Sequence, residues 1–249
     1  MSSDHFSSVA QTYAQARPHY PAALFDWLAS LCAHHDLAWD CGAGSGQASV
    51  ALAEHFKTVI ATDSSAAQIA QATPHSGVDY RVAPAESGGL TAGSADLVTV
   101  AQALHWFDFP RFFDEVRRVL RPGGVMAAWS YGIVHIEGEA VDARALAFYH
   151  DVVGPYWPPE RCHVEDGYRS IPFPFDRIEA PAFSMALDWT LDELLAYFRS
   201  WSATARYQRE RGEDPVAALA QQLAGHWGDP QTRRRVAWPL SVLAGRVPG

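Results

Sequence analysis

The sequence has almost no lysine: Lys57 stands alone, so nearly all of its positive charge is arginine. Cationic charge is short overall, leaving a net charge of −9. Such a chain repels phosphate backbones, which argues against general nucleic-acid binding. Two arginine groups run against that balance, Arg206, Arg209 and Arg211, and Arg233–Arg235. Both read as solvated faces. Cysteine is scarce. Cys32, Cys41 and Cys162 form no CxxC pair and no even-numbered framework, so neither a zinc site nor a disulfide scaffold is expected. No uninterrupted apolar run approaches membrane-spanning length, and the first twenty residues lack the apolar stretch of a signal peptide. A cytoplasmic protein with reduced thiols, no metal and no membrane contact is the expectation. Internal repeats and low-complexity tracts are absent too. Apolar residues are not scarce. They make up 48% of 249 residues, enough to bury a sizeable core in a single domain spanning 1–249.

Apolar spacing gives the order of elements. Leu24, Leu28 and Leu31 recur at helical spacing behind Pro21, predicting a helix over 21–35. Strands are expected at 37–41, 58–63, 78–83, 95–102 and 123–132, with helices at 47–56, 65–72 and 109–120 between them. Strands alternating with helices over a hundred or so residues imply βαβ units and a mainly parallel sheet. Residues 133–176 break this pattern with GPYWPPE and IPFPF, and read as a cap insertion over a site. A strand at 182–189, helices at 191–199 and 214–225, and a final strand at 234–246 follow.

The segment Asp40-Cys41-Gly42-Ala43-Gly44-Ser45-Gly46 lies between a predicted strand and a predicted helix. Glycines there let the chain turn sharply and let a ligand come close to the backbone. Dinucleotide fingerprints place a third glycine or alanine three residues after the second, where this chain has Gln47. Asp40 directly before the glycines would repel a pyrophosphate but suits the ammonium of an amino-acid moiety. Both features fit a cofactor without phosphate. The next strand ends in Asp63, placed to accept both hydroxyls of a ribose, or else to cap the helix after Ser64.

These residues resemble the class I S-adenosylmethionine-dependent methyltransferases. Asp40–Gly46 is similar to their first motif, Asp63 to their ribose-binding acid, Ala85-Glu86 to the turn that holds the adenine, and Arg121-Pro122-Gly123-Gly124 to the loop before the fifth strand. The run Ala101-Gln102-Ala103-Leu104-His105-Trp106-Phe107-Asp108 resembles the branch that includes trans-aconitate methyltransferases. So do Phe6, Tyr13, Arg17-Pro18, Tyr20-Pro21 and Arg199–Ala203. The resemblance implies an α/β Rossmann-like fold. Its seven-stranded sheet would run 3-2-1-4-5-7-6, strand 7 antiparallel, with helices on both faces. Residues 1–20 would form a lid, and S-adenosylmethionine would be the cofactor.

The expected cofactor-binding residues are Tyr13, Arg17, Asp40, Gly42, Ala43, Gly44, Gly46, Asp63, Ser64, Ala85, Glu86 and Gln102. Tyr13 and Arg17, one helical turn apart, suit the cofactor carboxylate. His105 is a candidate base, or a residue that only shapes its turn. Trp106, Trp157, Arg161, His163, Tyr168 and Arg169 combine aromatic and basic groups as a candidate substrate pocket. The expected activity is methyl transfer to a small-molecule acceptor, at a carboxylate or hydroxyl, by a monomer or homodimer. The alternatives are a nicotinamide-dependent oxidoreductase and a non-catalytic cofactor-binding subunit.

Overall fold

The computed structural model describes residues 18–248. Helix α1 (Ala22–Ser30) leads into β1 (Leu37–Cys41), α2 (Gln47–Leu52), β2 (Thr58–Asp63), α3 (Ala66–Ile69), β3 (Val78–Val82) and β4 (Ala95–Ala101). A 3-10 turn at Leu104–Trp106 precedes α4 (Phe109–Val119), which passes directly into β5 (Leu120–Tyr131). Beyond it come β6 (His135–Ile136), α5 (Glu139–Ala147), α6 (Arg161–Glu165), β7 (Asp176–Ile178) and β8 (Phe183–Trp189). The chain continues through α7 (Leu191–Arg199), α8 (Ser202–Arg211), α9 (Pro215–Trp227) and β9 (Arg234–Arg246).

The described residues pack as two compact units. One unit holds Tyr20–Gly132, Cys162–Phe183 and the chain from Pro239 onward; the other holds Ile133–Arg161 and Ser184–Trp238. The insertion is thus divided after Arg161.

In the first unit the sheet runs β3-β2-β1-β4-β5-β9. Its first five strands are parallel, and β9 returns antiparallel to β5, Val125 facing Arg246 and Tyr131 facing Leu240. The mainly parallel class and the order of its strands match the expectation. Successive residues point to opposite faces, as the pleat requires. Val125, Ala127 and Trp129 join Leu24, Phe25, Leu28 and Leu52 on one face. Met126 and Ala128 join Phe112, Phe113 and Val116 on the other. Both faces are therefore covered, and the strands read as continuous apolar runs for that reason.

In the second unit the opening residues of β9 pair with β6, His135 facing Ala237. Among the described residues the sheet has nine strands rather than seven. The two-residue β6 is one addition. The other arises because Pro181, which lacks a backbone N–H, falls between β7 and β8. Helix α7 begins with a capping box, the Thr190 hydroxyl accepting from the Glu193 backbone while the Glu193 carboxylate accepts from Thr190. Rings of Phe148, Tyr149, Trp157, Tyr197, Phe198 and Trp201 pack against one another. Among the described residues no helix is long and apolar enough to cross a membrane.

Candidate active site

The loop between β1 and α2 sits at the carboxyl end of the sheet. Gly42, Gly44 and Gly46 all have positive φ, at 69°, 56° and 85°. Two of them also face close neighbours. A Cβ on Gly42 would lie 2.7 Å from the Ala103 Cβ, and one on Gly46 would overlap the Tyr80 hydroxyl. Gly44 differs: a Cβ there meets only the Gln68 amide oxygen, at 4.0 Å. The loop therefore leaves open space over Gly44. Backbone bonds hold its shape, Ala43 N–H donating to Thr62 O and Gly46 N–H to Ala43 O, each at 2.9 Å.

Asp63 stands half-buried at the tip of β2. Its Oδ2 accepts the Gly44 N–H at 2.9 Å, and its Oδ1 accepts the Ser65 N–H at 2.8 Å. The helix cap is not Asp63 but Ser65, whose hydroxyl accepts from the Gln68 N–H at 3.3 Å. Ser64 between them is exposed. Each carboxylate oxygen has a second lone pair, so Asp63 keeps acceptor capacity for a ligand.

Asp40 is fully buried, at 0% exposure. Its oxygens accept from the hydroxyls of Ser49 at 2.6 Å and Thr99 at 2.9 Å. Burial pushes its pKa from 3.8 up to about 6, against the lowering effect of those two hydrogen bonds and with a smaller upward push from Asp63. Both oxygens of Asp40 are thus engaged within the fold. Burial also drives the neighbouring Cys41 thiol well above its ordinary value, which leaves it inert.

At the end of β4, Gln102 adopts φ 55°, a left-handed conformation rare for a side-chain-bearing residue. Its backbone N–H donates to Trp129 O at 2.9 Å and its amide Nε2 to Tyr131 O at 3.0 Å, which pins the strained turn. The following 3-10 turn carries His105, whose Nδ1 lies 3.0 Å from the Tyr168 hydroxyl. Tyr168 is fully buried and also left-handed, with φ 63°. Trp106 is 56% exposed. Glu86 Oε1 accepts the Asp108 N–H at 3.2 Å beside the buried Ala85.

The candidate substrate residues are divided between the two units. Tyr168 joins His105. His163 bonds Ser170 Oγ at 2.9 Å and packs edge-on against Phe109. Arg169 is exposed, its Nε donating to Asp166 O at 2.7 Å, so it braces its own loop. Trp157 and Arg161 belong to the other unit. Tyr13 and Arg17 lie outside the described residues. Sequence inspection missed Ser49 and Thr99, the partners of Asp40, because nothing in their spacing marks them. The sequence marks Tyr20 only as part of a motif. Burial raises that phenol's pKa far above its ordinary value, with smaller upward contributions from Tyr131, Asp40 and Tyr168.

A parallel sheet with a phosphate-free glycine turn after its first strand and an acid at the tip of its second defines a Rossmann-like protein of the class I methyltransferase type. Residues 39–128 match the family model described as a methyltransferase domain. A protein of Dictyostelium discoideum named as a methyltransferase is 36% identical over 223 residues, covering 88% of this chain and 85% of that one. A solved structure from Anaeromyxobacter dehalogenans, titled a type II methyltransferase, is 48% identical with a TM-score of 0.89, covering 94% of this chain and 99% of that one. The [4+2]-cyclase SpnF, at 15% identity and a TM-score of 0.51, shares the fold alone. The chain belongs to the class I S-adenosylmethionine-dependent methyltransferases, and S-adenosylmethionine is its cofactor.

Proposed function

We propose that the chain transfers a methyl group to a small-molecule acceptor at a carboxylate or hydroxyl oxygen, with the carboxyl end of β1, β2 and β4 as the site. The observation that supports this most is the Gly44–Asp63 contact beneath open space, a cradle that a larger residue would fill. In this arrangement Gly42, Ala43, Gly44 and Gly46 border the methionine moiety. Asp63 and Ser64 take the ribose, Ala85 and Glu86 the adenine, and the backbone at Gln102 faces the methionine end. Tyr13 and Arg17 remain candidates for the cofactor carboxylate. S-adenosylmethionine supplies an electrophilic methyl on a sulfonium.

The chain's part is alignment and exclusion of water, because positive charge disperses as the methyl moves. A carboxylate acceptor needs no base at neutral pH. A hydroxyl acceptor does, and His105 is our candidate for it, a reading supported by the hold of Tyr168 on its Nδ1. Two measurements test the proposal. Calorimetry is expected to show binding of S-adenosylhomocysteine and not of NAD. A screen of small acids and phenols for tritiated methyl transfer is expected to yield a methylated oxygen. Transfer to nitrogen or carbon, or none to any small acceptor, overturns it.

A further inference from the structure

Four described arginines are half-buried: Arg121, Arg161, Arg234 and Arg246. Three have their terminal nitrogens occupied. Arg121 pairs with Asp96 at 2.9 Å and donates to Ser94 O at 3.0 Å. Arg234 reaches the carbonyls of Glu137, His226 and Trp227. Arg246 donates to Gly123 O and Leu31 O. Arg161 is built differently. Only its Nε is engaged, donating to the Tyr149 hydroxyl at 2.9 Å. Its guanidinium carbon lies 4.6 Å from the centre of the Trp157 ring and 5.6 Å from that of Tyr149. Among the described residues no carboxylate or carbonyl takes either Nη.

The indole Nε1 of the same Trp157 is buried and has no acceptor among the described residues. A buried N–H without a partner is destabilising, and an unpaired guanidinium, always charged, is costlier still. The aromatic faces offset part of this through cation–π attraction. They also hold the guanidinium flat, with Trp157 itself packed against Trp201 at 5.5 Å between ring centres. Two more arginines act on the adjoining residue, Arg206 donating to Tyr156 O at 3.3 Å and Arg211 to its hydroxyl at 3.0 Å. The Nη donors of Arg161 and the indole N–H of Trp157 are therefore fixed before any ligand arrives.

We infer that Arg161 and Trp157 form a binding site for the carboxylate of a small organic acid. A carboxylate fits the two Nη donors side by side, and its outer lone pairs remain for the indole N–H. A phosphate would meet the same fork, but one guanidinium neutralises only part of its charge. The site stands on residues of its own unit and does not depend on where the methyl acceptor lies.

The test uses the full chain at pH 7. The Trp157 indole resonance, assigned by its loss in Trp157→Phe, is followed by NMR as benzoate, benzamide or inorganic phosphate is added. Benzoate is expected to shift it saturably and benzamide not to. Arg161→Gln is expected to weaken benzoate at least tenfold while S-adenosylhomocysteine binding stays unchanged. Arg161→Lys keeps the charge without the planar fork and is expected to fall between the two, which carries the test if the glutamine variant fails to fold. Failure of benzoate to bind, equal binding by the Arg161 variants, or a response to benzamide overturns the inference. Preference for phosphate overturns the carboxylate assignment.

Discussion

Asp63 accepts the backbone N–H of Gly44 at 2.9 Å, so the tip of β2 is bonded to the middle of the turn that follows β1. The same carboxylate also holds the Ser65 N–H before α3. One side chain thus sets the distance between two loops. Asp63→Ala is expected to weaken S-adenosylhomocysteine by about 1.5–3 kcal/mol for each charge-assisted hydrogen bond lost, with the chain still folded. Calorimetry alongside circular dichroism checks this. Unchanged affinity in a folded variant removes Asp63 from the site.

The buried Asp40 makes the site pH-dependent. Its folded pKa of about 6 lies above the ordinary 3.8, so the folded state holds the extra proton between those values. The ligand-free protein therefore loses stability as pH rises through that window, by about 3 kcal/mol for a shift of roughly two units. A positively charged cofactor nearby favours the ionised form. Its affinity is expected to rise with pH and level off above about 6, releasing close to one proton at the lower end. Asp40→Asn is expected to abolish both effects. Calorimetry in buffers of different ionisation enthalpy counts the proton. A release that survives in the variant assigns it elsewhere.

Gly42 and Gly44 look alike in sequence and differ in surroundings. Alanine at either must adopt a positive φ, a strain of about 1–2 kcal/mol. At Gly42 the new Cβ also meets Ala103 at 2.7 Å. Gly42→Ala is expected to lower stability by a further 1–3 kcal/mol or so. Gly44→Ala is expected to lose cofactor affinity out of proportion to stability, because its Cβ enters the open cradle. Denaturant unfolding and calorimetry on the pair separate the two. Equal losses of stability mean the Gly42 contact relaxes freely.

Tyr168 is held in a strained conformation, and its hydroxyl meets His105. Tyr168→Phe is expected to reduce stability by about 1 kcal/mol. It is also expected to change the balance of His105 tautomers seen in ring-nitrogen NMR, while cofactor affinity holds. An unaltered histidine spectrum shows that the phenol does not orient the ring.

Much of this site could be read before any coordinates. The glycine spacing and Asp63 lie on consecutive strand tips, and parallel strands bring consecutive tips together. The charge state of Asp40 could not be read, because it depends on Ser49 and Thr99, which reach it from α2 and β4. Helix α8 went unseen for a different reason. It buries only Ala203 and Thr204, so no apolar stripe betrays it. That Arg169 is occupied with its own loop could not be read either, because its partner is a backbone carbonyl, that of Asp166, and carbonyls leave no mark in a sequence.

The antiparallel return of β9 onto β5 bears on how the protein is born. Strand β5 emerges from the ribosome well before β9 and must wait for it, its apolar residues Val125–Trp129 forming an open edge meanwhile. Loop closure over so long a stretch is slow, and an unpaired edge is prone to wrong partners. Chains halted before residue 234 should therefore bind chaperones or aggregate, and pulsed hydrogen exchange should find the β5 amides among the last of the sheet to gain protection.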